Sequence, residues 1–278
     1  MKKIVNSLPM LFALAIASVI NISYNEVSAH NFYKNEASVF FTLIKQFEVE
    51  NELVQSNFPK NASLALEHAE NTARLLKDIF YFDEDNSNYT DFRNTYDLMT
   101  KDLNTTTSAL ISANMADEIL KQYGLALGFD PAVVSNLANM SMSMSVNMSM
   151  TSAGYSAKNS SDMMMSMDST DQKNGSNSQN VNSNNTKQVN YQTATMLAGS
   201  LKNLFLRDLQ NASILNSTGL MHLPMEVKMA SINDLGEGID NLISAINRKT
   251  TLDEVMSIVH GQIHPNVFMA FDLKLKGD

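Results

Sequence analysis

Methionine side chains are concentrated between residues 140 and 167, in two short blocks separated by a Ser/Asn/Lys-rich spacer. Nine of the nineteen methionines of the chain lie there: Met140, Met142, Met144, Met148, Met150, Met163, Met164, Met165 and Met167. Their neighbours are serine, asparagine and aspartate, so these methionines form no apolar face at helical or strand spacing. A thioether is uncharged at every pH and is a soft ligand suited to Cu(I). The pattern predicts an exposed segment that brings several sulfur atoms onto one copper ion.

The M-x-M and M-M-M spacings of this segment resemble the Mets motifs of CTR-type copper-transporter ectodomains and of copper-resistance proteins. The resemblance covers about a tenth of the chain and implies capture of Cu(I) by clustered thioethers. Two other interpretations stay open. The segment can be a low-complexity linker whose methionines reflect composition alone, or its exposed thioethers can act as oxidant traps, because methionine oxidises readily to the sulfoxide.

Histidines provide the other candidate metal ligands, because the chain has no cysteine for a thiolate site. His260 and His264 are four residues apart, a spacing that places two imidazoles on one face of a helix. Pro265 disfavours the α conformation at His264, so we expect the helix to end between the two histidines, with a turn presenting both to a metal ion. The alternative is a helix terminus, where histidine interacts favourably with the helix dipole.

Three more histidines have different surroundings in the sequence. His222 lies in the segment from Met221 to Met225 and forms a mixed soft-metal site if that loop folds back, or else is a surface residue. His68 lies in an apolar helical stripe, which is typical of a core histidine rather than a ligand. His30 follows a predicted cleavage site, and its free α-amine and imidazole would chelate Cu(II).

That pairing of amine and imidazole at His30 resembles the histidine brace of lytic polysaccharide monooxygenases and of some copper-resistance proteins. Those families are β-rich, and His30 is the one residue of this chain that corresponds to them. A copper oxidase-type enzyme is therefore the last of three functional hypotheses. The chain has no G-x-S-x-G, P-loop, G-x-G-x-x-G or E-x-x-H pattern, so we predict no catalytic residues. Glu67, Glu70, Asp117 and Glu118 are predicted to be ordinary surface or cap charges.

The N-terminal segment, residues 1–29, has the features of a signal peptide. Lys2 and Lys3 precede an apolar run over residues 8–22, and Val27-Ser28-Ala29 forms a small-residue cleavage site. An uncleaved anchor is the alternative, although the run is short for a membrane span. The sequence predicts a secreted or cell-surface protein with no membrane span after cleavage. Ten Asn-x-Ser/Thr sequons beyond residue 29 fit a glycoprotein, or simply an Asn- and Ser-rich composition.

Charge and periodicity set the remaining expectations. A net charge of −9 with no basic stripe argues against a nucleic-acid partner. Helical spacing predicts an all-α, up-and-down helical bundle whose halves, residues 30–139 and 188–278, share one core. A disordered linker over residues 140–187, Met-rich and then Asn/Ser-rich, joins them. A two-domain arrangement is the alternative.

The helices are expected over residues 36–57, from Asn61 or Ser63 to about residue 82, and from Asp91 to Gly124 or Gly128 as one long helix. Further helices are expected over residues 188–214 and 225–248, with a short helix after a capping box at Thr251. The first functional hypothesis is an extracytoplasmic copper-binding or copper-handling protein. The second is a cell-surface interaction module that binds another extracytoplasmic protein and no metal.

Overall fold

The computed structural model describes residues 36–80, 92–134, 177–212 and 223–273. The helices are α1 (Glu36–Asn57), α2 (Ala62–Phe80), α3 (Phe92–Lys101), α4 (Thr105–Leu127), α5 (Asn177–Leu204), α6 (Met225–Arg248), α7 (Leu252–Ile258) and α8 (His264–Phe271). Two π-helical turns, Phe205–Leu209 and Val259–Ile263, follow α5 and α7. The described residues are 88% helical and contain no strand. The predicted all-α fold is confirmed.

Helix α4 lies at the centre of the fold. Every residue from Thr107 to Asp117 is buried, and α4 contacts α1, α5, α7 and α8. A helix that is apolar or small on all sides is typical of a core helix surrounded by others. One cluster of buried apolar side chains extends from Ala37 to Leu273 and includes residues from both sides of the methionine-rich segment. Within the described ranges, no helix combines the length and the apolar character needed to cross a bilayer.

Several predicted boundaries agree with the structure. Helix α1 ends at Asn57, just before Phe58-Pro59, and the Asn61 side chain accepts a hydrogen bond from the Leu64 N–H at 3.2 Å to begin α2. Gly128 ends α4 in the left-handed conformation, with φ of 90°, where a residue without Cβ is favoured. One half of the predicted capping box is present, because the Thr251 hydroxyl accepts from the Glu254 N–H. The Glu254 carboxylate accepts instead from Arg248.

The long helix predicted from residue 91 onward is wrong, because the structure divides it into α3 and α4. The Asn104 side chain accepts a hydrogen bond from the Thr107 N–H at 2.9 Å, and the Thr107 hydroxyl donates to the Asp102 carbonyl at 2.6 Å. Asparagine and threonine compete for backbone groups in this way and favour caps over helix interiors. The break therefore lies at residues 102–104, just before the three threonines at positions 105–107.

Helix α5 begins at Asn177, well before the predicted start at Gln188. The end of the predicted linker, residues 177–187, is thus helical, whereas residues 135–176 lie outside the described ranges. Asn185 donates a hydrogen bond to the Ser63 hydroxyl of α2 at 2.8 Å. A contact across 122 positions of the chain cannot be inferred from local composition, and tertiary contacts routinely override weak helix propensity.

Helix α6 follows its predicted span. Helical spacing predicts that Met225 and Met229 lie on the same apolar stripe as Ile232, but both methionines are exposed. Gly236 and Gly238 interrupt the helical pattern of α6, which predicts that neighbouring segments approach closely there, and the structure confirms this. A Cβ on Gly236 would lie 3.0 Å from the Phe205 ring, and one on Gly238 would lie 3.1 Å from the Gln262 Cβ.

A buried polar network joins α1, α2 and α5. The spacing of the apolar residues in α1 predicts that Glu50 faces solvent, but Glu50 is buried and its carboxylate lies 2.7 Å from His68 Nδ1. His68 Nε2 lies 2.9 Å from the Gln192 side-chain oxygen, and the Thr193 hydroxyl donates to Glu50 at 2.5 Å. His68 is therefore the hydrogen-bonded core histidine that the sequence predicted.

Candidate metal site

The chain from residue 252 to residue 271 is one continuous helical run, so the predicted helix end between His260 and His264 is wrong. His264 has helical angles, φ −59° and ψ −46°. Pro265 lacks an N–H, and in α geometry its ring would clash with the carbonyl four residues earlier. Here the preceding turn is a wider π turn, in which the His264 N–H bonds to the Val259 carbonyl. The π turn thus admits the proline without ending the helix.

The π turn brings the two imidazoles together inside the protein. His260 and His264 are both buried, and their rings lie at 73° with centroids 5.0 Å apart. The two Nδ1 atoms are 3.3 Å apart. Two nitrogen ligands of a tetrahedral ion, each bonded at about 2.0–2.1 Å, are themselves about 3.3 Å apart. The separation of these nitrogens therefore fits a shared metal ion, and in the absence of an ion it fits a hydrogen bond from one ring to the other.

Asp117 completes the cluster from the central helix. Its Oδ1 lies 3.3 Å from His264 Nε2, and both side chains are buried. One ligand atom from each of Asp117, His260 and His264 lies within 4.8 Å of the others. The prediction that Asp117 is an ordinary surface or cap charge is wrong, because its side chain is buried against His264. The sequence contains one indication of its burial. Asp117 lies four residues after Ala113 and three before Leu120, so it shares a helix face with these two apolar residues.

The two nitrogens of the His264 ring have different neighbours, and this determines which of them can bind a metal ion. Asp117 lies at the Nε2 side of the His264 ring, whereas Nδ1 of the same ring faces His260. A carboxylate that holds the far nitrogen of a metal-bound histidine fixes the tautomer and the orientation of the ring. Two imidazoles and a carboxylate suit zinc, copper(II), nickel or iron(II), and they do not suit magnesium or calcium, which favour oxygen ligands.

Helix α6 supports the π turn from its other side. Gly238 lies against Gln262, where a Cβ would be 3.1 Å from the Gln262 Cβ. The Asn241 side chain donates a hydrogen bond to the Gln262 side-chain oxygen at 2.9 Å, and the Asn266 side chain donates to the Gln262 carbonyl at 2.7 Å. These contacts hold the turn that carries both histidines.

Other predicted ligands are not brought together by the described structure. The nine methionines, His30 and His222 lie outside the described residues. His68 belongs to the separate network with Glu50 and Gln192. Of the residues predicted to bind metal, His260 and His264 are the pair that the described structure places in one cluster.

Comparison with protein-family models, with curated proteins and with solved structures finds no match to this chain. The chemistry of the buried cluster and of the methionine segment is therefore the basis for a functional assignment.

Proposed function

We propose that this chain is an extracytoplasmic copper-handling protein with two kinds of metal site. A buried site at His260 and His264 takes a divalent transition-metal ion, and the methionines of residues 140–167 take Cu(I). The observation that carries the proposal is the 3.3 Å separation of the two buried Nδ1 atoms, with the Asp117 carboxylate behind one ring.

Burial supports a metal role for the cluster. Placing an ionisable carboxylate and two imidazoles in a protein interior is costly, because each charged form loses hydration. Such clusters occur preferentially at functional sites. A divalent ion bound between the imidazoles would also place positive charge close to the Asp117 carboxylate, which offsets part of the cost of burying that carboxylate.

Each residue of the site has a defined role in the proposal. His260 and His264 bind the ion through Nδ1, and the Asp117 carboxylate, 3.3 Å from His264 Nε2, favours the proton on that nitrogen so that Nδ1 keeps its lone pair for the metal. The thioethers favour Cu(I), whereas the imidazoles favour Cu(II) or zinc. The two sites are therefore distinguished by the oxidation state of the copper that they prefer.

The proposal is tested by titrating the secreted protein with Cu(II) and Zn(II), and separately with Cu(I) against a chromogenic competitor. We expect about one tightly bound divalent ion per chain. His264→Gln, which keeps a polar side chain in the buried space, should abolish divalent binding and leave Cu(I) uptake unchanged. Deletion of residues 140–167 should abolish Cu(I) uptake and leave divalent binding unchanged.

Two results would contradict the proposal. If the intact protein takes up neither Cu(I) nor a divalent ion, the copper assignment fails as a whole. If His264→Gln binds divalent ions as tightly as the intact protein does, the buried cluster is not the site. Circular dichroism of each variant shows whether the helical fold has been retained.

A further inference from the structure

The turn between α1 and α2 exposes an aromatic ring. Phe58 is 72% exposed, the largest exposed fraction among the large apolar side chains that the structure describes. The chain is described without a gap from residue 36 to residue 80, so both helices that flank the turn are in place around this ring. A single exposed ring needs no explanation on its own. This ring, however, lies three residues before a sequon, Asn61-Ala62-Ser63.

The Asn61 side chain uses one of its two polar atoms and leaves the other for attachment. Its Oδ1 accepts a hydrogen bond from the Leu64 N–H at 3.2 Å, which caps α2. Within the described ranges its Nδ2 donates no hydrogen bond, and both Asn61 and Ser63 are exposed. An N-linked glycan is attached through the side-chain nitrogen of asparagine. A glycan on Asn61 therefore leaves the cap of α2 intact.

The turn also places Phe58 beside Asn61. The Phe58 N–H bonds to the Val54 carbonyl at 2.9 Å, and the Asn61 N–H bonds to the Asn57 carbonyl at 2.8 Å. Both bonds span four residues, which is the spacing of an α-helix. Residues three positions apart in that geometry emerge on the same side of the chain. A sugar attached to Asn61 is therefore within reach of the Phe58 ring.

We propose that Asn61 carries an N-linked glycan whose first sugar, N-acetylglucosamine, packs on the Phe58 ring. The C–H face of that sugar is apolar, so it covers aromatic surface that otherwise remains in water. This proposal joins the two unexplained features of the turn, the exposed ring and the available amide nitrogen. It rests on the extracytoplasmic location in the proposed function and is independent of the metal sites.

The modification is a group transfer from a lipid-linked diphosphate oligosaccharide, catalysed by the glycosylating enzyme of a secretory pathway. A bond forms between Asn61 Nδ2 and the anomeric carbon of the sugar. The bond between that carbon and the diphosphate oxygen breaks, and the diphosphate leaves with the electron pair. The nitrogen gives up one proton to solvent, so the product is a neutral secondary amide.

The sequon that begins at Asn104 provides a comparison within the same chain. Asn104 is exposed and also caps a helix through Oδ1, which accepts from the Thr107 N–H at 2.9 Å. The residue three positions before it is Lys101, whereas Phe58 holds that position before Asn61. A glycan on Asn104 would therefore find no aromatic ring at the equivalent position.

Attachment is tested by secreting the full chain from a eukaryotic host and mapping its peptides after glycosidase treatment in heavy-oxygen water, which marks each glycosylated asparagine as a labelled aspartate. We expect the label at Asn61. Ser63→Ala should abolish it and Ser63→Thr should retain it, because the sequon requires a hydroxyl there. A secreted chain with unmodified Asn61 overturns the proposal. A chain that stays in the cytosol contradicts the extracytoplasmic location and the glycan with it.

Packing on Phe58 is tested by thermal unfolding of the secreted glycoprotein. Asn61→Asp keeps a capping oxygen but carries no glycan, and it should lower the unfolding temperature by roughly 2–4 °C, the usual effect of losing a modest contact. The same substitution in a Phe58→Ala chain should lower it no further, because the ring is gone. Asn104→Asp is the matched control and should change nothing. An unchanged temperature in Asn61→Asp, or an equal fall with and without Phe58, overturns the proposed packing.

Discussion

At the residue scale, two buried carboxylates each lie beside a buried histidine. Asp117 lies beside His264 and Glu50 lies beside His68, and all four side chains are buried. Each carboxylate comes from a different helix than its histidine. Neither contact follows from helical periodicity, because periodicity assigns a residue to a face of its own helix and says nothing of the residue that it meets across the core.

Asp117→Asn should lower the affinity of the buried site for a divalent ion by about 10–100-fold without abolishing binding, because a carboxylate that orients a metal-bound histidine contributes about that much. His264→Gln should abolish binding altogether. A competition titration with zinc or Cu(II) measures both variants. Equal loss in the two would assign Asp117 to direct ligation instead, and an unchanged affinity in Asp117→Asn would contradict its role in the site.

Glu50→Gln should destabilise the fold by about 1–3 kcal/mol, because it removes the charge that accepts hydrogen bonds from His68, Thr193 and Asn71. Glu52→Gln is the matched control on the same helix, since Glu52 is exposed and should change the free energy of unfolding by less than about 0.5 kcal/mol. Urea unfolding compares the two variants. Equal effects would show that the buried network does not stabilise the native state.

At the element scale, the π turn at residues 259–263 determines the geometry of the candidate site. It keeps the helix continuous through Pro265 and places His260 and His264 side by side. π-helical turns inside α-helices are rare overall, and those that occur often lie at functional sites. The turn rests on Gly238 of α6, where there is no room for a larger side chain without a shift of Gln262.

Gly238→Ala should destabilise the protein by about 1–3 kcal/mol, because overpacking at a close helix contact forces the neighbouring backbone to move. It should also weaken divalent metal binding, since the displaced turn carries both histidines. Gly261→Ala is the control in the same turn, because no atom lies within 4 Å of its added Cβ; we expect it to be neutral or slightly stabilising. Thermal unfolding and metal titration check both, and a harmless Gly238→Ala would show that the contact tolerates displacement.

Much of the helical layout could be predicted from the sequence, for identifiable reasons. Helices α1, α2 and α6 have clear apolar stripes and strong stop signals such as Phe58-Pro59. The break before α4 was missed because asparagine and threonine caps compete with a helical pattern that continues past them. The part of α5 before Gln188 contacts α2 through Asn185 and Ser63, and the π turn depends on backbone spacing around a proline. Such features are set by three-dimensional contacts rather than by composition.

At the scale of the whole molecule, the candidate site joins the central helix α4 to the C-terminal helical run. An ion bound to the two histidines would be coupled to a chain segment more than a hundred residues away through the contact of Asp117 with the His264 ring. Metal binding to the native state alone adds stability, by about 2.7 kcal/mol when the free ion is 100 times its dissociation constant. The unfolding temperature should therefore rise with added zinc and fall back with a chelator.

That rise should persist in a chain lacking residues 140–167 and disappear in His264→Gln. Differential scanning calorimetry of the three proteins separates a stabilising ion at the buried site from one held by the methionine segment. If zinc raises the unfolding temperature of His264→Gln as much as that of the intact protein, the stabilising ion is bound elsewhere.

The measurement that tests the central claim most directly is the electron paramagnetic resonance spectrum of the full chain loaded with one equivalent of Cu(II). Ligation by His260 and His264 predicts an axial spectrum with hyperfine coupling to two imidazole nitrogens, and this coupling should be lost in His264→Gln. A spectrum of hydrated copper, or one that is identical in the intact chain and in His264→Gln, would contradict a metal site at the buried histidines.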